Sequence, residues 1–334
     1  MSKKLKAGIV GLGVGQRHIQ GYLSHPQCEV KSICDLDENK LKKIGEEFSI
    51  SAQTKSFEDI TDDPDIDIIS ICSYDNFHAQ QVIRALEKGK DVMVEKPLCA
   101  SRDEAQAILK TLKATGRRLT SNLILRKSPR FINLKNQIAQ GRFGDIFYIE
   151  GDYLYGRGHK ITDGWRGKLD FYCGVYGGGV HVIDLMSWFV GSEVDEVVSY
   201  GNNICTKDTE FKFEDCVVAI LKFKNGCIGK TVTSLCCVQP HFHSLKVYGT
   251  ESTFVNNYKE ADWYKSPDHA DTVHIDDEYP GVNKYDLIPD FIDSIIEGKP
   301  SAINEEEIFN TMSVCFSIYD SLKSGKPTKV TYIK

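Results

Sequence analysis

The chain has no hydrophobic run long enough to span a bilayer and no block rich in lysine or arginine. The first absence argues against a membrane protein. The second argues against nucleic acid or an anionic membrane surface as partner. The charge balance agrees, with 41 basic against 47 acidic residues and a net charge of −6. Eleven cysteines are present but no Cys-x-x-Cys pair, and the nearest two, Cys236 and Cys237, are adjacent. That spacing suits neither a structural metal nor a disulfide framework, so the cysteines read as small buried hydrophobes of an intracellular chain. Behind Met1-Ser2-Lys3-Lys4 the apolar run is short, is broken by Gly11 and Gly13, and has no cleavage-site pattern. No signal peptide is read, and the expected compartment is the cytoplasm. Internal repeats and low-complexity segments are absent.

What is there is an ordinary globular composition, 41% hydrophobic and 26% charged, over 334 residues. That length suits two domains. The first third alternates strand and helix patterns. Strands are predicted at Leu5 to Val10, Val30 to Cys34, Ile66 to Cys72, Asp91 to Val94 and Leu119 to Leu123. Helices are predicted over His78 to Lys88, ending at Gly89, and over Ser101 to Thr115, where Ser101 and Glu104 form a capping box. Alternation of this kind implies a parallel sheet. Beyond residue 121 a helix opens at Ser128-Pro129, with serine as N-cap, and ends at Gly141. Longer strands follow at Ile146 to Leu154, Val194 to Asn202, Cys216 to Phe223, Cys227 to Leu235, His243 to Tyr248 and Thr253 to Asn256. Asn225-Gly226 marks a hairpin, and short connections imply an antiparallel sheet. Helical patterns near Leu287 to Ile296 and Glu305 to Ser324 close the chain. The expected division is 1–121 and 122–334.

The first strand runs into Gly11-Leu12-Gly13-Val14-Gly15-Gln16 and should open a helix. Gly11, Gly13, Val14 and Gly15 are therefore candidates to cradle a pyrophosphate at a helix N-terminus. The usual third glycine would fall at Gln16, one residue after Gly15. Asp35 ends the second strand at the distance expected of an acid that reads a ribose. It would repel a 2′-phosphate, so NAD is expected rather than NADP.

Ser73-Tyr74-Asp75-Asn76-Phe77-His78, Glu95-Lys96-Pro97 and Gly177-Gly178-Gly179-Val180-His181 together with the glycine turn resemble the Gfo/Idh/MocA family over nearly the whole chain. The resemblance implies an α/β Rossmann domain followed by an α+β domain on a large, open, predominantly antiparallel sheet. It implies NAD-dependent oxidoreduction of a sugar, polyol or nucleotide sugar, with no metal. It places Gly11, Gly13 and Asp35 on the dinucleotide, and Ser73 and His78 on the loop toward the nicotinamide end. Glu95 and Pro97 hold a cis or strained turn, and Lys96 points at the junction of nicotinamide and substrate. Subunit pairing through the large sheet into a homodimer or homotetramer is also implied.

Lys96 also fits first principles, since an ammonium at the carboxyl end of a parallel strand can bind an oxygen that gains negative character. His181 suits a general base near neutral pH. In one respect the chain departs from the family it resembles, which commonly carries an aspartate four residues before this histidine; here that residue is Gly177. Three substitutes stay open: Asp184 one turn on, a hydroxyl from Tyr176 or Tyr172, or none beyond Lys96 and His181. Asn122, Arg126, Tyr153, Trp165, Arg166 and His181 are candidates for the substrate pocket, beside Tyr155, Arg157 and His159. His241 and His243 share a strand face but lack further ligands at suitable spacing. Two other functions stay open: hydrolysis of glycosides through transient oxidation, and non-enzymatic sensing of a dinucleotide.

Overall fold

The computed structural model describes residues 4–334; Met1–Lys3, on which part of the leader reading rests, lie outside them. Along the chain come β1 (Leu5–Val10), α1 (Gly15–Ser24), β2 (Cys28–Cys34), α2 (Glu38–Phe48), β3 (Ala52–Thr54), α3 (Phe57–Thr61), β4 (Ile68–Ile71), α4 (His78–Glu87), β5 (Asp91–Val94), α5 (Arg102–Thr115) and β6 (Leu119–Ser121). Then follow α6 (Pro129–Ala139), β7 (Ile146–Leu154), α7 (Gly158–Thr162), α8 (Val180–Val190), β8 (Val194–Asn202), β9 (Cys216–Phe223), β10 (Ile228–Ser234), β11 (Phe242–Gly249), β12 (Thr253–Asn256), β13 (Ala261–Tyr264), β14 (Thr272–Ile275), α9 (Ile288–Glu297), α10 (Glu305–Ser324) and β15 (Thr328–Lys329). None of the described helices is long and apolar enough to cross a membrane.

Contacts divide the chain into two compact units. The first holds residues up to Ile124, Asn283–Phe309 and the last two residues; the second holds Leu125–Val282 and Asn310–Tyr332. A single boundary at 121 therefore misses the return of Asn283–Phe309 to the first unit. Hydrogen bonds fasten that segment there. The Thr120 hydroxyl donates to Ile303 O at 3.0 Å, and His25 Nε2 lies 3.0 Å from Asp293.

The first unit carries a six-stranded sheet in the order β3-β2-β1-β4-β5-β6, parallel throughout. Strands β4 and β5 are buried along their whole length, as expected where helices cover both faces. The strand order reverses between β1 and β4, and the carboxyl ends of strands at such a point form a ligand crevice. The glycine turn, Ser73 and Lys96 all follow strand carboxyl ends there.

The second unit carries nine strands in the order β14-β13-β12-β11-β7-β10-β9-β8-β15. All pairings are antiparallel except β7 with β10, which run parallel at the centre. Strict alternation in β9 and β10 buries one face, against which α8 packs. Side chains at Gly151 of β7 and Gly229 of β10 would both collide with Met186 of α8. The opposite face leaves Tyr200, Val218, Ile220 and Ile228 exposed beside Lys230, Glu150 and Asp152, which form ion pairs.

Candidate active site

In the first unit, Gly11 adopts φ +86°, and a side chain there would strike the Cys72 carbonyl and lie 2.8 Å from Ser73 N. Only glycine suits that position. Gly13 faces open space, and Val14 is exposed. Gly15 opens α1, and a β-carbon on it would stand 2.9 Å from Ile9 Cγ2 of β1. Gly15 thus permits the close helix–strand contact that a glycine at position 16 usually serves. Gln16 instead turns back, its amide donating to Gly13 O at 2.9 Å. The first turn of α1 has neither a side-chain cap nor an acid. Its N–H groups and the space over Gly13 fit a dinucleotide pyrophosphate. Asp35 accepts the Leu12 N–H at 2.7 Å and the Asp37 N–H at 3.0 Å, so the acid is pinned to the glycine turn. Lys40 pairs with it at 3.2 Å, a partner that sequence reasoning missed.

The Lys96–Pro97 bond is cis. Glu95 is buried, and Lys96 is partly exposed. Burial works to raise the Glu95 carboxyl, but hydrogen bonds from His18 and Asn122 and the charge of Lys96 outweigh it. They hold the carboxyl well below the usual range. Ser73 Oγ donates to Gln81 at 2.6 Å. His78 is buried, with Nδ1 2.7 Å from Pro97 O and Nε2 3.3 Å from Ser73 O. Its ring ties the two loops together from beneath, so its place is that of a support and not of a group facing the cofactor. Asn122 is also a correction. It is buried, and its amide donates to Glu95 at 2.7 Å and to Lys284 O at 2.8 Å, so it braces Glu95 rather than lining an open pocket.

In the second unit the glycine run forms a π turn, Val175–Gly179, in which the Val180 N–H reaches back to Val175 O. Single π turns of this type recur at functional sites. Each of the first two glycines makes room for a tyrosine. A β-carbon at Gly177 would lie 2.5 Å from the Tyr172 hydroxyl, and one at Gly178 would strike the Tyr153 ring. His181 follows in the first turn of α8, buried, with its ring centroid 6.0 Å from that of His243. His241 lies 4.7 Å from His243, and Tyr153 lies within 5.5 Å of both. Burial pushes the Tyr153 hydroxyl up, so it stays a neutral donor. His243 Nδ1 stands 2.9 Å from the Tyr279 hydroxyl, and neither Tyr279 nor this role for His243 was foreseen. The Arg166 guanidinium stacks on Trp165 at 4.2 Å, in a partly exposed 3-10 turn, Trp165–Lys168.

Two of the expected site residues bind each other. The Asp184 carboxylate is held by Arg126 through two hydrogen bonds of 2.8 and 2.7 Å, with Thr311 adding a third at 3.3 Å. Both partners are buried, and the guanidinium lies 5.4 Å from the Trp188 ring centre. This bidentate pair engages both oxygens of Asp184 and commits the guanidinium of Arg126. Asp184 is thus an anchor of α8, and the guanidinium of Arg126 is engaged by it rather than free for substrate. Tyr176 packs edge-on against Phe316 and beside Phe171 and Tyr319. Burial pushes its hydroxyl far up, so it stays a neutral phenol within that aromatic cluster. Among the described residues, the one group arranged to hold a cation is Glu260, Asp262 and His274, on the segment around β13 and β14, and it includes neither His241 nor His243.

Comparison with known proteins agrees with this geometry. The family model described as an oxidoreductase family with an NAD-binding Rossmann fold matches residues 5–123. The model for the GFO/IDH/MocA C-terminal domain matches residues 131–255. The chain is 23% identical over 340 residues to a myo-inositol 2-dehydrogenase of Thermotoga maritima, covering 98% of each. It is 25% identical over 297 residues to a levoglucosan dehydrogenase of Pseudarthrobacter phenanthrenivorans, covering 78% of this chain and 75% of the relative. A solved levoglucosan dehydrogenase, in complex with NADH and levoglucosan, superposes with a TM-score of 0.85 at 22% identity, covering 98% of this chain and all of that one. By both of its domains, the chain belongs to the Gfo/Idh/MocA family of NAD-binding oxidoreductases.

Proposed function

We propose that the protein oxidises a hydroxyl-bearing carbon of a sugar or polyol, with Lys96 and His181 as its catalytic residues. The observation that carries this reading is the pinned Glu95-Lys96-Pro97 turn at the carboxyl end of β5, at the crevice where the strand order reverses. Relatives named as inositol and levoglucosan dehydrogenases support the substrate class. NAD, when bound, supplies the acceptor for the hydride. Gly11, Gly13, Val14 and Gly15 hold its pyrophosphate, Asp35 its ribose, and Ser73 the approach to its nicotinamide end. The Lys96 ammonium binds the substrate oxygen and favours the negative character that grows on it. His181 takes the hydroxyl proton. Tyr153, Trp165 and Arg166 offer stacking and hydrogen-bonding faces to a ring-shaped substrate.

We further propose pairing of subunits through the open face of the nine-stranded sheet, where apolar side chains lie exposed beside ion pairs. Eleven thiols suit a reducing compartment, and we place the protein in the cytoplasm. The test is NADH formation across a panel of inositols, anhydrosugars and sugars. Wild type should turn over at least one, and Lys96→Ala should lose about 100-fold or more in kcat. Equal rates would remove Lys96 from the mechanism.

A further inference from the structure

Beneath Lys96 lies a sealed chain of polar groups that the proposed reaction does not by itself require. His18 of α1 and Ser70 of β4 are wholly buried, as is Tyr22 one turn after His18. The Tyr22 hydroxyl donates to Ser70 Oγ at 3.2 Å. Ser70 Oγ then stands 2.8 Å from His18 Nδ1. His18 Nε2 lies 3.3 Å from Glu95 Oε1, and Glu95 Oε2 accepts the Lys96 main-chain N–H at 3.2 Å.

The direction is set at the Glu95 end. Ser70 Oγ accepts the Tyr22 proton and lies beside His18 Nδ1, and the Cys72 thiol stands 3.4 Å from the same nitrogen. Glu95 is held as a carboxylate, which only accepts, so an imidazole proton sits on Nε2, aimed at Glu95. Asn122 Nδ2 is also within 3.2 Å of Nε2. Its two hydrogens are already spent on Glu95 Oε1 and Lys284 O. Asn122 therefore does not compete for the imidazole.

We propose that His18 is a positioning residue that keeps Glu95 a carboxylate, and through Glu95 fixes the main chain that presents Lys96. This rests on the catalytic role proposed for Lys96. A buried carboxylate is costly unless its oxygens are paired. Here Oε1 is paired with Asn122 and His18, and Oε2 with the Lys96 amide. The titratable groups around Glu95 are His18 on α1, Cys72 after β4 and Lys96 itself; Ser70, Tyr22 and Asn122 are neutral. Removing the His18 donor leaves Oε1 with Asn122 alone. Glu95 then takes up a proton at a higher pH, and a protonated oxygen no longer needs the Lys96 N–H.

The test uses the full chain saturated with NADH and needs no substrate, so its outcome is separate from the activity of Lys96→Ala. The Glu95 carboxyl carbon is followed by NMR, assigned by its loss in Glu95→Gln, together with the Lys96 amide. In wild type both signals should stay flat between about pH 4 and 9. His18→Leu should bring a shared step into that window, raising the Glu95 midpoint by about three pH units or more. His18→Gln, whose amide N–H replaces Nε2–H, should remove most of the step. A His18→Leu protein with flat signals and only a lower melting temperature would show a structural role and overturn the proposal. So would a step in Glu95 that the Lys96 amide does not follow.

Discussion

Tyr172 and Tyr153 fill the space that side chains at positions 177 and 178 would take. Gly177 is therefore more than the loss of an aspartate, since no residue with a β-carbon fits while Tyr172 keeps its place. Gly177→Ala should destabilise the protein by about 1–3 kcal/mol through overpacking. Urea unfolding measures this, and Tyr172→Ala in the same chain should recover part of the loss. A neutral Gly177→Ala would mean that the phenol yields freely. Much at this scale was legible. Gly11, Asp35 and Lys96 announce themselves by type and by place after strands, and His181 by the glycine run before it. His18 did not, because a histidine on the first turns of a helix looks like any face residue until Ser70 and Glu95 are brought beside it. Arg126 and Asp184 misled for the same reason. Each suits a pocket alone, and only the fold shows that they bind each other.

Among the elements, those with local signals were read closely. Helix α5 has the capping box foreseen from Ser101 and Glu104, and Gly116 ends it at φ +63°. Ser101→Ala should cost about 1 kcal/mol in thermal or urea unfolding. No measurable loss would show that the Glu104 half of the box suffices. Ser128 is the contrast: its side chain makes no cap bond, and only Pro129 at the first position marks the start of α6. Strands β7 and β9 match their predicted ends because alternation continues to the last residue, and β8 matches although its last three residues are all exposed. Strands β3, β13, β14 and β15 were missed. They have two to four residues each, too few for a period of two to register. The π turn was not legible, since a run of glycines states freedom but not the hydrogen bonds chosen.

For the molecule as a whole, the two-sheet plan followed from the change of pattern near residue 121. The parallel pairing of β7 with β10 did not, because it joins strands far apart in sequence. The return of Asn283–Phe309 to the first unit is likewise a tertiary fact. The open sheet face bears on assembly. Ile220 is exposed at the centre of β9, opposite Lys230 of β10. Ile220→Lys should shift the protein to a smaller species in analytical ultracentrifugation and leave the buried face of the sheet intact. An unchanged sedimentation coefficient would place the subunit contact elsewhere or remove it.

The account as a whole turns on hydride leaving a carbon that bears a hydroxyl group. The most direct measurement supplies a substrate found in the panel with deuterium on that carbon and weighs the reduced cofactor formed in ordinary water. The account predicts NADH one mass unit heavier, with the label retained and a slowed transfer step. Deuterium released to water, or substrate consumed with no labelled NADH, would contradict it.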